Sequence, residues 1–401
     1  MDLSSRARSI PPSLVFELNS RIGELRSQGV DVVGLGAGQP DFPSPPEALA
    51  AAQAFESKGQ VGYTPAAGLP ELRKAAAELV SRVTGVEYDS AQLVVTNGAK
   101  EALALAIAAV CDPGDEVLLP RPAWLSYEPM CQAMDARPVY VDGDCDNGFR
   151  VSAAALDAAV TDRTRALIIN SPGNPTGLVY TRDELAALAQ VCIDRDLTLI
   201  SDEIYWPFVF EGEFCSPASL PGMAERTVVV NGVSKSHSMT GWRIGFLAAP
   251  APLAKAVSSL KSHVSSNAST PAQHATLGAL AAGDTHANTM RVAFARRRAL
   301  ALKHLQAMPD IVLEPPAGAF YVFPRVDAYY TARLSGSIPF CTALLEKARL
   351  AAVPGAAFGE DRCIRLSIAA ADDVLEEGLR RMAGFLASLR APVSDEASAG
   401  G

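Results

Sequence analysis

The 401-residue chain is longer than a single hydrophobic core normally supports, so two domains are expected. About half of its residues are apolar and a fifth are charged, the balance of a soluble globular enzyme. Lys and Arg number 35 against 44 Asp and Glu, giving a net charge of −9 with no basic cluster, so neither nucleic acid nor a membrane surface has an electrostatic footprint here.

Seven cysteines lie singly with no CxxC pair, which favours a reducing cytoplasm and disfavours a disulfide framework or a zinc site. The opening MDLSSRARSI has no apolar h-region, so no signal peptide is expected. The longest apolar runs, 103–110 and 279–282, are too short to span a bilayer.

In chain order, 12–28 reads as a helix or arm with apolar residues at three and four spacing. A short strand and a Gly-rich bend follow over 32–42. Gly34, Gly36 and Gly38 mimic a nucleotide loop, but Pro40 and Pro43 stand where a dinucleotide motif needs an uninterrupted helix, and that reading is rejected. A helix is expected over 45–58, then a Gly/Pro loop, 62–68, carrying Tyr63. The strand at 93–96 runs through Asn97-Gly98-Ala99-Lys100 into a helix ending near Val110, a geometry that offers free backbone N–H groups to an anion. A strand at 116–119 is followed by Pro122-Ala123-Trp124, read as the opening of a helix. Further on come a strand at 139–141, a helix over 152–160 and a strand at 166–170 leading into the turn Ser171-Pro172-Gly173-Asn174-Pro175-Thr176-Gly177. A helix over 183–195 then precedes the apolar strand that delivers Asp202 and Tyr205.

This alternation predicts a mainly parallel α/β sheet, in which ligands sit at the carboxyl ends of strands. Lys100, Asn174, Asp202 and Lys235 all follow apolar strands, which places them on one rim.

The densest signal is 228–246, VVVNGVSKSHSMTGWRIGF. A lysine at the end of an apolar strand is costly to keep charged, so burial lowers its pKa, and only the free amine attacks a carbonyl. Arg243, between Gly241 and Gly245, suits a fixed guanidinium fork on a phosphate. Beyond it, helices are expected over 253–262, 271–282 and 285–308, with Arg296, Arg297 and Arg298 read as a solvated face. A smaller α/β unit spans the strands near 318–323, 353–355 and 363–367 and a last helix, 373–389; the polar tail is expected to be disordered.

Ser234-Lys235 followed by Gly-Trp-Arg-Ile-Gly resembles the cofactor-attachment motif of class I aminotransferases dependent on pyridoxal 5'-phosphate (PLP). The likeness is greatest to the bacterial aspartate aminotransferase-like Ib subgroup and runs from about residue 12 to 389, taking in the Tyr63 loop and the Asn174-Pro175-Thr176-Gly177 turn. It implies a fold-type I PLP-transferase: an arm and small-domain segment over 1–40, a large PLP-binding domain over 41–284 with a seven-stranded sheet, a small domain over 285–390 and a tail over 391–401.

By the same resemblance Lys235 is the amine that links to the cofactor and moves the proton, and Asp202 keeps the pyridine nitrogen protonated. Tyr205 and Asn174 donate to the phenolic oxygen, and Trp124 stacks on the ring. Gly98, Ala99, Lys100, Ser234 and Arg243 form the phosphate cup, to which Tyr63 is added by a second subunit, so a homodimer is implied. Gly38 and Arg365 take the substrate α-carboxylate, the latter as a bidentate partner. Lys100 points to aspartate or glutamate as donor in ping-pong transfer to a 2-oxo acid; the plainer reading is a phosphate or surface lysine. Pro12-Ser13-Leu14-Val15 departs from the PSxT stretch of aspartate-specific relatives at Val15, where a methyl replaces a hydroxyl. A lyase, cyclase or oxidase/hydroxylase of the same fold is the alternative, and a DNA-binding regulator is not expected.

Overall fold

A computed structural model describes residues 2–12, 14–143 and 145–390. The strands are β1 (Val33–Gly34), β2 (Leu93–Thr96), β3 (Glu116–Arg121), β4 (Arg137–Asp142), β5 (Thr164–Asn170), β6 (Thr198–Asp202), β7 (Thr227–Gly232), β8 (Gly245–Ala248), β9 (Tyr321–Val322), β10 (Leu350–Ala351), β11 (Val353–Pro354) and β12 (Ile364–Ser367). Seven of them form one sheet in the order β2-β8-β7-β6-β5-β3-β4. All run parallel except β8, which is antiparallel to both its neighbours.

The central strands are apolar on both faces, as a helix-covered parallel sheet requires. Ala166, Ile168, Ile200, Val228 and Val230 pack on one side with the helix Ala99–Val110, while Leu167, Ile169, Leu199 and Val229 pack on the other. Register sets Asn170 beside Asp202 and Asp202 beside Val230, so the strand ends arrive level at one rim. This is the α/β arrangement, with a mainly parallel seven-stranded sheet, that the sequence implied.

Residues beyond Ala281 build a second core from the helices Thr285–Gln306, Ser337–Ala348 and Asp372–Arg390 with the small sheet β11-β12-β9. The chain's start joins it: β1 pairs parallel with β10, and Val33 and Leu35 are buried in that core.

Two expectations need correcting. Residues 122–126 are loop, and the helix begins only at Tyr127–Ala133: tertiary contact overrides the local start, with Ala123 tied to the smaller unit through its N–H to Phe358 O. The Arg296–Arg298 triplet is not a uniformly solvated face. Consecutive helical residues are about 100° apart, so three cannot share one side. Arg297 is buried, donating to Asp41 at 2.7 and 2.8 Å and to Asp372 at 2.9 Å. Ser13, the side chain of Val15 and the tail 391–401 lie outside the described residues. Among the described residues, no helix is long and apolar enough to cross a membrane.

Candidate active site

The turn after β2 is held open by what its residues lack. Gly98 sits at φ +82°, and a Cβ there would stand 2.4 Å from the Arg243 guanidinium. The helix Ala99–Val110 starts at this point with its first N–H groups aimed at the rim. Arg243 reaches it from the turn before β8, itself in the left-handed region at φ +59°, and donates to Thr240 O at 3.0 Å and Asn97 O at 3.2 Å. Its exposed guanidinium has no acidic partner among the described residues, so the cup presents net positive charge.

Beneath the turn, Glu101 accepts from the Asn97 backbone N–H at 2.6 Å and from its amide at 3.0 Å. The fully buried Lys261 lies 3.3 Å from Glu101. Burial alone would raise the Glu101 pKa, but hydrogen bonds from Ser265 and Asn97 and the Lys261 ammonium bring it below the usual range. Lys100, the next residue back, projects over the Trp124 ring at 5.1 Å, its pKa lowered by desolvation and by Arg243.

Lys235 follows β7 on the short helix Val233–Ser236, beside the buried Ser234. Its Nζ donates to Gly38 O at 2.5 Å. Desolvation, then the Arg365 and Arg243 charges, lower its pKa to about 8. Asp202, at the end of β6, is 3 % exposed and accepts from Tyr127 Oη at 2.7 Å and Ile204 N at 3.3 Å. Burial pushes its carboxyl up to about 6, so it gains from a cationic partner placed beside it.

Arg365, on β12, enters the rim from the smaller unit. It is 2 % exposed, donates to Asn174 Oδ1 and Gly36 O at 2.8 Å each, and lies over the rings of Tyr321 at 4.4 Å and Phe358 at 5.1 Å. Its Nε has no partner at all. A buried guanidinium without a carboxylate is a costly arrangement unless an anion completes it. Tyr205 Oη sits 2.9 Å from Tyr321 Oη, and a Cβ on Gly38 would meet the same Tyr321 hydroxyl at 2.9 Å.

The structure therefore brings Gly38, Gly98, Ala99, Lys100, Trp124, Asn174, Asp202, Tyr205, Ser234, Lys235, Arg243 and Arg365 to one rim. It does not bring Tyr63, whose side chain is 94 % exposed. Gly38 presents its carbonyl to Lys235, and Asn174 spends its carbonyl on Arg365, leaving its amide protons for another acceptor.

The sequence reading missed Tyr127, Asn170, Tyr321, Glu101 and Lys261. Asn170 holds the rim together by donating to Asp202 O at 2.9 Å and accepting from Asn174 N at 2.8 Å. Its place at the end of an apolar strand was the available signal. The aromatic residues gave none, since buried Tyr in a strand or helix reads as packing.

The donor set fits PLP on observations independent of any likeness: a helix start beside the Arg243 guanidinium with no room for a Cβ at Gly98, an amine with depressed pKa, a buried acid whose charge acts on it, and a guanidinium whose Nε has no partner among the described residues.

A family model described as aminotransferase class I and II matches residues 30–382. The chain is 43% identical to a probable aspartate/prephenate aminotransferase of Aquifex aeolicus, over 95% of this chain and 97% of that one. It is 40% identical to an aspartate aminotransferase of Bacillus subtilis, over 96% and 99%. Among solved structures, the Thermus thermophilus aspartate aminotransferase with maleate superposes at a TM-score of 0.91 with 38% identity, over 96% of this chain and 99% of the other. These relatives favour transfer over the lyase, cyclase or oxidase alternative.

Proposed function

Because the chain belongs to the class I and II aminotransferases and uses PLP to move amino groups between amino acids and 2-oxo acids, we propose that its donors are the dicarboxylic amino acids aspartate and glutamate, with transfer running by ping-pong. The observation that carries amino acid binding is Arg365: buried, with no acidic partner among the described residues and with Nε unsatisfied, it suits an α-carboxylate. A second cation, Lys100, stands over Trp124 at the mouth of the same rim, where a side-chain carboxylate would meet it. The names of the relatives and the dicarboxylate maleate in the Thermus thermophilus structure support the same class.

When bound, PLP supplies an electron sink for the carbanion chemistry at the substrate Cα. The chain's own residues do the rest. Gly98, Ala99, Ser234 and Arg243 would hold the phosphate, with Lys100 alongside, and Trp124 would lie against the ring. Asp202, oriented by Tyr127, keeps a proton at the pyridine nitrogen. Tyr205 and the free amide of Asn174 donate to the phenolic oxygen. Lys235, its amine held at a lowered pKa, would be the residue that takes a proton from the substrate Cα and returns it. Arg365 and the Gly38 backbone orient the α-carboxylate.

We place residues 41–284 in the cofactor domain, and 1–40 with 285–390 in the smaller one. Tyr63, exposed and on the loop before the helix Pro70–Thr84, is assigned to the phosphate of a second copy, which makes the working unit a homodimer. Seven free cysteines support a reducing, cytoplasmic setting.

The test is titration of the purified protein with aspartate, glutamate and neutral amino acids, followed by cofactor absorbance. Aspartate or glutamate should convert the cofactor to its amine form, and 2-oxoglutarate should restore it. Faster conversion by a neutral amino acid would overturn the dicarboxylate assignment.

A further inference from the structure

Two hydroxyls 2.9 Å apart share one hydrogen bond, and either oxygen is able to donate it. Tyr205 and Tyr321 are both buried, and burial raises both pKa values, so each keeps its single proton at neutral pH. The direction of the bond is then fixed by where the other proton goes. Tyr321 Oη has one hydrogen-bond partner among the described residues, Tyr205, and is walled by Gly38 at a distance that admits no side chain there. Tyr205, assigned above to the cofactor's phenolic oxygen, has only one proton to give to it.

We propose that Tyr321 is a positioning residue that donates to Tyr205, forming a two-hydroxyl relay that ends on the cofactor's phenolic oxygen. The inference rests on the assignment of Tyr205 made above. A hydroxyl that accepts a hydrogen bond becomes a stronger donor. Tyr321 therefore strengthens the bond Tyr205 makes and favours the anionic form of that oxygen. The same ring lies 4.4 Å beneath the Arg365 guanidinium. One side chain thus supports both the group that tunes the cofactor and the group that receives the substrate carboxylate. Its ring serves Arg365 and its hydroxyl serves Tyr205, so the two roles separate in a variant that removes the hydroxyl alone.

A donor to the phenolic oxygen weakens that oxygen's hold on the proton it shares with the linked lysine nitrogen, so the proton leaves at lower pH. The experiment is a pH titration of the bound cofactor's visible absorbance in the holoenzyme, for wild type, Tyr205→Phe, Tyr321→Phe and the double variant. Tyr321→Phe is expected to raise the midpoint by roughly half a pH unit, part of what one hydrogen bond contributes. Tyr205→Phe should raise it further, and the double variant should match Tyr205→Phe. The KM for aspartate in Tyr321→Phe should stay within about twofold of wild type, since the ring under Arg365 remains.

A Tyr321→Phe midpoint equal to wild type, with Tyr205→Phe shifted, overturns the relay and leaves the Tyr205 assignment standing. Shifts that add fully in the double variant show that Tyr321 acts by another route and also overturn it. If Tyr205→Phe itself leaves the midpoint unmoved, the assignment of Tyr205 fails, and the relay with it. Cofactor content per chain and the far-ultraviolet dichroism of each variant separate these outcomes from misfolding.

Discussion

Lys235 owes its chemistry to where its strand ends. Its pKa of about 8 comes first from desolvation and then from two guanidinium groups, with Asp202 pulling the other way. In the cofactor-free protein the amine should capture PLP at a rate that rises with pH, is half-maximal near 8 and levels above it, rather than near the ordinary lysine value of about 10.4. Stopped-flow absorbance across that range checks this, and a profile still climbing through pH 10 would refute the desolvation argument. The sign also bears on stability. A lysine with a depressed folded pKa binds fewer protons folded than unfolded, so its contribution rises with pH from about 8 to about 10.4, and the penalty is complete below. The lysine itself was legible in the sequence because a cation directly after an apolar run is rare enough to demand a reason. Tyr321 and Tyr127 were not, because an aromatic residue in a buried element satisfies packing whether or not its hydroxyl has a task. Arg297 was misread because a charged triplet shows composition while hiding the helix's angular spacing.

At the scale of elements, the start of the helix Ala99–Val110 is braced from below. Glu101 ties down Asn97, and Lys261, from the helix Ala251–Val264, completes the pair inside the protein. Glu101→Ala strands a fully buried ammonium and frees the turn, so it should cost about 3 kcal/mol in chemical denaturation of the cofactor-free protein. Lys261→Met removes the charge but leaves Glu101 its bonds to Asn97, and should cost clearly less. Equal losses would mean that the pair matters only for packing. Strand-to-helix order could be read from the sequence, since apolar runs, Gly turns and helical spacing are local. The brace could not, because its partners stand 160 positions apart and neither lies in a motif.

For the whole molecule, two arginines are among the ties between the smaller unit and the rim. Arg365 crosses from β12 to Asn174, and Arg297 crosses from its helix to Asp41, just after the bend whose Gly38 carbonyl meets Lys235. Tyr63 is 94% exposed and has no hydrogen-bond partner among the described residues. Sedimentation should therefore give twice the 42.1 kDa chain mass, and Tyr63→Phe should weaken PLP binding about tenfold, the loss of one hydrogen bond to a charged group, without altering that mass. A monomer that binds PLP and turns over normally would remove Tyr63 from the site. The architecture was legible as an alternation of strands and helices, whereas the proposed second copy was suggested only through likeness.

The one reversed strand carries a last consequence. Because β8 runs against its neighbours, Gly232 and Gly245 face each other across the sheet, and the segment between them leaves and re-enters the same rim with Lys235 and Arg243 on it. Elsewhere, most consecutive strands of this sheet are joined by helical crossovers on its faces, while the link from β6 to β7 is irregular apart from the 3₁₀ turn Pro217–Ser219. Insertions and deletions in the outer, far ends of those crossovers change the periphery, but a single residue gained or lost between Gly232 and Gly245 alters the spacing of amine and guanidinium directly. Length variation among descendants of this chain should accumulate in the crossovers and be purged from that segment, and the same segment is the wrong place to open new termini by circular permutation.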